Sequence, residues 1–185
     1  MRRTYQVALL VLALNVMGAA LPTRTFTDAT PMQQMFVIKE LKPGIERVGI
    51  IWDPSGNHDA IMEKIQRAST ATGIKVFVGE ASGLSDVGPQ FRTLFREHKI
   101  EALWIVDNEG VISQSVARNF LIKEATQSGL PIFAPSRDWI DAGASVAVSK
   151  VDGSIQLFVN RAAADALSLQ VPEKYLERTE YLAAN

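Results

Sequence analysis

The segment at residues 42–57 most constrains what this chain can fold into. It runs from a polar approach into a continuous apolar stretch at 48–52, and then through a polar turn into a helical pattern. A strand that is apolar on both faces needs cover on both faces, which is typical of a parallel sheet between two helical layers. The same unit recurs along the chain, so the sequence predicts an α/β fold.

Five strands joined by helices follow from this pattern. Strands are predicted at 47–52, 75–79, 102–106, 131–134 and 145–148, and helices at 32–41, 59–72, from about 86, at 112–128, 138–142 and 153–169. Gly73 and Gly129 stand where glycine commonly ends a helix. Right-handed crossovers order such strands 2-1-3-4-5, so we expect a single three-layer, flavodoxin-like (Rossmann-like) lobe with a parallel five-stranded sheet.

The first 20 residues have the pattern of a secretory signal peptide. Arg2 and Arg3 precede an apolar stretch at 7–16, and small residues follow at 18–20. The apolar stretch is shorter than the ~20 residues that a membrane-spanning helix needs. We therefore expect cleavage before Leu21 and a periplasmic protein. An uncleaved membrane anchor is the alternative.

Length and composition indicate one domain with a substantial core. The chain has 185 residues, of which 47% are hydrophobic and 21% are charged. The expected division is a signal peptide at 1–20, a flexible lead at 21–30, the α/β lobe at 31–172 and a tail at 173–185. The net charge is −1 and no basic stripe is present, so nucleic acid is not an expected partner. The sequence has no cysteine, which excludes disulfides and a lipid-modified cysteine anchor.

Polar residues follow the predicted strands at one edge of the sheet. They occur at 53–57, 80–82, 107–108, 135–136 and 149–152. Ligands of open α/β sheets bind beyond these carboxyl ends, where helix N-termini also offer N–H donors. Many of these residues have a structural explanation, because Asp, Asn and Ser also cap helices and form turns. Asp107 and Asn108 stand out because they directly follow the most apolar strand, near the expected switch point.

The sequence carries no recognisable catalytic or cofactor motif. His58 and His98 lack a His or Cys partner at metal-ligand spacing, and no nucleophile elbow, Walker loop or Gly-x-Gly-x-x-Gly follows a strand. Residues 54–58 are similar to the phosphate loop of flavodoxins but lack most of its hydroxyls, so FMN is not expected. A receiver domain would need an acidic pair after the first strand, where none is present. We therefore expect neither an enzyme nor a bound cofactor or metal.

The order of several short segments carries a family resemblance. These are Leu-Lys-Pro-Gly-Ile-Glu-Arg-Val-Gly-Ile at 41–50, Ala-Leu-Trp-Ile-Val-Asp-Asn at 102–108, Gly-Leu-Pro-Ile-Phe-Ala at 129–134, and a small-residue helix at 161–167 that leads to Val171-Pro172. Together they span about residues 36–172. They resemble the ABC transporter substrate-binding proteins of the tryptophan/tyrosine-binding type, a branch of the type 1 periplasmic binding proteins.

The resemblance covers the second of the two lobes that close on a ligand in this family. It implies a non-enzymatic protein that binds or senses a small organic solute, such as an amino acid-like compound, for a membrane transporter or receptor. The implied ligand-binding residues lie in the matching loops: Asn57, Asp107, Asn108 and Ser136.

A lone lobe offers half of such a site, because burial between two lobes supplies much of the contact area. Three roles stay open for it. It can bind solute weakly, form a homodimer, or act as a non-catalytic interaction subunit of a membrane receptor, transporter or sensor kinase that has lost ligand binding.

Overall fold

The computed structural model describes residues 25–56, 58–106 and 109–183, so the predicted signal peptide at 1–20 lies outside the described residues. The strands are β1 (Phe26–Asp28), β2 (Arg47–Trp52), β3 (Lys75–Glu80), β4 (Ala102–Trp104), β5 (Ile132–Ala134), β6 (Val146–Val151), β7 (Ser154–Asn160) and β8 (Thr179–Leu182). The helices are α1 (Pro31–Leu41), α2 (Asp59–Thr72), α3 (Leu84–Arg96), α4 (Ser115–Gln127), α5 (Arg137–Asp141), α6 (Arg161–Ala166) and α7 (Glu173–Leu176), with a 3₁₀ turn at Gly110–Ser113. Within the described ranges, no helix is both long enough and apolar enough to cross a bilayer.

The eight described strands form one mixed sheet. Its order is β3-β2-β4-β5-β6-β7-β8, and β1 pairs with β6. Neighbours from β3 to β6 run parallel, whereas β1 and β7 are both antiparallel to β6 and β8 is parallel to β7. The predicted three-layer α/β fold with a mostly parallel sheet is confirmed. The prediction of a purely parallel, five-stranded sheet is wrong, because three further strands extend the sheet and change its overall order.

Helices cover both faces of the sheet, as the apolar strands require. On the α1–α2 face, Trp52 and Trp104 pack with residues of these two helices. On the α3–α4 face, Leu103 and Ile105 pack with residues of α3 and α4, and Trp139 of α5 joins them. Successive residues of β4 point to opposite faces, so Leu103 and Trp104 belong to different clusters and the strand is buried on both sides.

Helix α1 begins at Pro31, one residue before the predicted start, with Thr30 as its N-cap. The Gln33 N–H donates to Thr30 Oγ1 at 3.3 Å, and the Thr30 N–H donates to Gln33 Oε1 at 3.0 Å. This reciprocal pair is a capping box, with proline at the first helical position, where no N–H is needed.

A buried polar contact joins α1 to the middle of the sheet. Trp104 Nε1 donates to Gln34 Oε1 at 2.5 Å, and Gln34 Nε2 donates to the Ala29 carbonyl at 2.7 Å. Gln34 is 4% exposed, so its amide depends on these two partners rather than on water. These two hydrogen bonds hold α1 at a fixed distance from β4 and from Ala29, the residue that follows β1.

The helix predicted at 153–169 is wrong over its first half. Residues 154–160 form β7, which returns along β6 from a two-residue turn at Asp152 and Gly153. These two residues have φ of 49° and 80°, the left-handed values that a type I′ hairpin turn needs. Leu157 and Phe158 then point to opposite faces of the sheet. The helical spacing of apolar residues was outweighed by an Asp-Gly turn followed by β-branched and aromatic residues.

The lead at 21–30 and the tail at 173–185 also contribute described structure. β1 lies within the lead, where the Thr25 N–H donates to Asp152 Oδ1 and the Asp152 N–H donates to the Thr25 carbonyl, both at 3.1 Å. α7 and β8 lie within the tail, and Lys174 Nζ donates to Glu40 Oε1 of α1 at 2.6 Å. The expected lead and tail thus each contain a strand that pairs with the sheet.

We expect Trp104→Phe to lower the free energy of unfolding by at least about 2 kcal/mol. The substitution leaves Gln34 Oε1 buried without a donor, which costs ~1–3 kcal/mol, and it also removes packed ring atoms. Urea denaturation would measure the loss. Combining it with Gln34→Met removes the stranded acceptor, so the double variant should lose less stability than the two single losses added together. Strict additivity would contradict the contact.

We expect Gly153→Ala to lower the free energy of unfolding by ~1–2 kcal/mol, because a residue with a Cβ is strained at this φ. Apart from the two neighbouring residues of the chain, no described residue has an atom within 4 Å of the added Cβ, so the loss would report backbone conformation alone. Gly153→Asn is the matched control, since asparagine tolerates the left-handed region, and it should lose less. Equal stability of wild type and Gly153→Ala in urea would refute the turn.

Candidate functional site

Asp53 closes the loop that follows β2. Its Oδ1 accepts from the Ser55 N–H at 2.9 Å and from the Ser55 hydroxyl at 2.7 Å, and its Oδ2 accepts from the Val111 N–H at 3.1 Å. Val111 belongs to the 3₁₀ turn after β4. The carboxylate therefore links the two loops on either side of the switch point, where β2 lies between β3 and β4.

These three donors lower the pKa of Asp53. The Ser55 hydroxyl has the largest effect, and the backbone N–H groups of Ser55 and Val111 follow. Gly110 has a φ of 54°, and a Cβ at this position would collide with the Asp53 carboxylate. The loop contact thus requires both the acid and the glycine, which favours a structural role for Asp53.

Both histidines stack on aromatic rings. His58 lies 4.2 Å from the buried Trp52 ring, and His98 lies 4.5 Å from Phe77, measured between ring centroids. In the part of the chain that the structure describes, no group of three or more metal-binding side chains comes together. The two histidines therefore have packing roles at opposite ends of their helices.

Of the four predicted ligand-binding residues, Ser136 lies in the described structure. Asn57, Asp107 and Asn108 lie outside the described residues, and their roles stay predictions. Ser136 is the residue between β5 and α5 that precedes the first helical turn. Its Oγ is buried and has no hydrogen-bond partner among the described residues. Ser136 also lines a cavity, so its position agrees with a site beyond the carboxyl end of a parallel strand.

The cavity has a volume of about 390 Å³ and lies where β1, α5, β6, β7 and β8 meet. It is lined by Phe26, Thr27, Asp28, Pro135, Ser136, Arg137, Asp138, Ser149, Val151, Gln156, Phe158 and Glu180. This volume is at the lower end of the range for small-molecule sites. The lining combines aromatic rings, amide and hydroxyl groups, three carboxylates and one guanidinium.

Arg137 organises one side of the cavity. Its Nη1 lies 2.9 Å from Glu180 Oε1, and its Nε lies 3.8 Å from Asp141 Oδ1. The guanidinium carbon is 5.8 Å from the centroid of the Phe158 ring. Arg137 therefore connects α5 to both β7 and β8, and its charge is already balanced by acids.

Two other carboxylates at the cavity have no such partner. Asp28 and Asp138 form no ion pair and no side-chain hydrogen bond with any described residue. Ser149 Oγ donates to the Pro135 carbonyl at 2.9 Å and holds the loop after β5 against β6. The lining thus combines this loop–strand hydrogen bond with two carboxylates that have no ion-pair partner among the described residues.

Of the four predicted ligand-binding residues, Ser136 lines the cavity, and most of the other lining residues were not predicted from the sequence. Asp28, Gln156 and Glu180 lie on β1, β7 and β8, which are the three strands that the sequence prediction lacked. Arg137 lies between the predicted site residue Ser136 and the helical turn predicted at 138–142, and it was not predicted to belong to the site. The Asp152-Gly153 pair was the available signal, because a hairpin there brings Gln156 beside Ser149.

A family model described as "ABC transporter substrate binding protein" matches residues 15–152. No curated protein sequence matches the chain. Among solved structures, a conserved domain protein from Vibrio cholerae is similar with 22% identity and a TM-score of 0.67, covering 82% of this chain and 59% of that one.

Two further solved structures are similar. An ABC domain in complex with L-Trp from Streptococcus pneumonia has 16% identity and a TM-score of 0.67, covering 82% of this chain and 61% of that one. A ligand-free, open substrate binding protein with adhesive properties from Clostridium difficile has 16% identity and a TM-score of 0.68, covering 86% and 62%. The chain thus spans about three fifths of the length of these structures, and at these identities the likeness shows a shared fold.

We expect Asp53→Asn to be less stable than wild type at pH 7, because the amide cannot satisfy all three donors as an anion does. The folded-state pKa of Asp53 lies below its ordinary value. Its stabilising effect is therefore present above the ordinary value and is lost as the pH falls through the lowered pKa.

Thermal unfolding from pH 7 down to about 2 would follow this loss, and the difference between the two proteins should shrink below about pH 4. Ser55→Ala removes the strongest donor and should move the change to higher pH. A difference that stays constant with pH would contradict the assignment.

Proposed function

Because the chain belongs to the ABC transporter substrate-binding protein family, we propose that it is an exported solute-binding protein whose α/β lobe binds a small organic solute. The family consists of binding proteins rather than enzymes. The similar structures from Streptococcus pneumonia and Clostridium difficile are also of binding proteins. The solute would be delivered to a membrane transporter or receptor.

The cavity beside α5 is the observation that carries this proposal. It lies beyond the carboxyl end of β5, where ligands of open α/β sheets bind. Its apolar walls at Phe26 and Phe158 suit the carbon skeleton of a solute, whereas Ser136 and Gln156 suit its polar groups. A small amphiphilic compound, such as an amino acid or a related metabolite, matches this mixture. The L-Trp complex of a similar structure supports testing aromatic amino acids early.

Asn57, Asp107 and Asn108 stay predicted ligand-binding residues of the proposed site, because in the sequence they come after β2 and β4 as Ser136 comes after β5. A solute bound at this edge would be exposed to solvent on the side that faces away from the lobe. A second copy of the chain would supply an opposing surface, and for this reason a homodimer is part of the proposal.

The periplasmic location rests on the sequence. Arg2 and Arg3, the apolar stretch at 7–16 and the small residues at 18–20 are the features that direct a chain to export. Residues 1–20 would then be removed before the protein meets its solute.

A non-catalytic interaction subunit is the second candidate function. Leu84 and Val116 favour it, because they are 44% and 64% exposed at or near the starts of α3 and α4. Both helices begin at the same edge of the sheet as the cavity. Apolar side chains at this edge would contact a receptor, transporter or sensor kinase without any need for a solute.

Titration calorimetry of the purified protein against amino acids and related metabolites would test solute binding. We expect a saturable ligand that also raises the melting temperature, with ~2.7 kcal/mol of stabilisation at a hundredfold excess over Kd. Arg137→Gln should weaken binding about tenfold or more, because Arg137 positions α5 against β7 and β8.

Arg67→Gln is the matched control, since Arg67 also pairs with an acid four residues away on a helix but lies outside the cavity. Its affinity should equal that of wild type. No binding by any compound would refute solute binding and favour the interaction subunit. Equal losses in the two variants would place the ligand elsewhere on the protein.

A further inference from the structure

We propose that the cavity beside α5 selects organic cations, such as amines, over zwitterions and anions. This inference rests on the solute-binding function proposed above and names the chemical class of the solute. It goes against the expectation of an amino acid-like ligand, and it follows from how the charges around the cavity are paired.

The charged side chains that line the cavity are unequal in number. Asp28, Asp138 and Glu180 are acidic, and Arg137 is the one basic residue among the described residues of the lining. The Arg137 guanidinium is 2.9 Å from Glu180, so this pair is close to neutral. Asp28 and Asp138 are left without an ion-pair partner among the described residues. A solute anion would meet these two carboxylates and would have to displace Glu180 to reach the guanidinium.

The nearest lysine along the lining strands does not offset the excess of negative charge at the cavity. Lys150 lies on β6 between Ser149 and Val151, which both line the cavity. Alternate residues of a strand point to opposite faces, so Lys150 points away from the face that these two present. Asp141 adds a further negative charge near the cavity, because it lies 3.8 Å from Arg137 and would compete with a solute anion for the same guanidinium.

Aromatic rings at the cavity also suit a cation. Arg137 lies over the Phe158 ring, so one ring already receives a positive group. Phe26 is 60% exposed, an unusual state for phenylalanine, and its ring carries no such partner in the described structure. An ammonium group or the carbon chain attached to it would cover this ring. A polar atom of the cavity also suits a cation. An ammonium group offers three donors, and the buried Ser136 Oγ has no hydrogen-bond partner among the described residues.

Three compounds that share a phenyl ring and a two-carbon chain would test the charge preference. Phenethylamine is a cation, phenylalanine is a zwitterion and 3-phenylpropanoate is an anion. Calorimetry at low salt should give a Kd for phenethylamine at least tenfold below that of phenylalanine, and the weakest binding for the anion. The preference should narrow as salt is added, because it is electrostatic.

Asp28→Asn and Asp138→Asn should each weaken phenethylamine binding threefold or more and leave the weak binding of 3-phenylpropanoate unchanged or stronger. Asp165→Asn is the control, because Asp165 lies on α6 and does not line the cavity. Circular dichroism melting curves would verify that all three variants are folded.

The outcomes separate the two proposals. If phenylalanine or 3-phenylpropanoate binds as tightly as phenethylamine, solute binding stands and cation selection is overturned. If phenethylamine binds best but both cavity variants behave like the control, the cavity is not where selection occurs and the inference fails. If none of the three compounds and no metabolite binds, the solute-binding function itself fails.

Discussion

The buried amide of Gln34 is the contact on which the rest of this lobe depends. It accepts from the Trp104 indole in the central strand and donates to the carbonyl of Ala29, the residue directly after β1. A polar group at this depth costs several kcal/mol unless both of its ends are satisfied. The pair of bonds therefore selects one placement of α1 on the sheet, and with it one position for β1 at the cavity.

The other end of β1 is held by the β6–β7 hairpin. Thr25 and Asp152 exchange two hydrogen bonds, so the hairpin turn that starts β7 also secures the strand that carries Phe26 and Asp28. The cavity residues of β1 and β7, which are distant in sequence, are thus positioned by backbone pairing to a single strand, β6. Such support limits rearrangement of the lining, which is what a site that discriminates by charge requires.

Elements with strong local signals could be predicted from the sequence. β2 and α2 have the predicted limits, because an apolar strand and an amphipathic helix ending at Gly73 are each encoded within a few residues. β1 and β8 could not be predicted, since three- and four-residue strands without buried side chains are specified by their partners rather than by their own pattern. The same reason limited prediction of the site. Ser136 follows a predictable strand, whereas Asp28 and Glu180 lie at the cavity only because their strands pair with strands distant in the sequence.

The burial of all three tryptophans determines what intrinsic fluorescence reports about this protein. Trp104 and Trp139 are in the core, Trp52 is buried beneath the His58 ring, and none of them lines the cavity. Intrinsic fluorescence should therefore follow unfolding of the sheet and its two helical layers closely. Trp139 lies on α5, directly after the cavity residue Asp138, so it is the tryptophan whose surroundings a solute beside α5 would change first. A spectral change on adding solute would accordingly report on α5, whereas Trp52 and Trp104 report on the opposite helical layer.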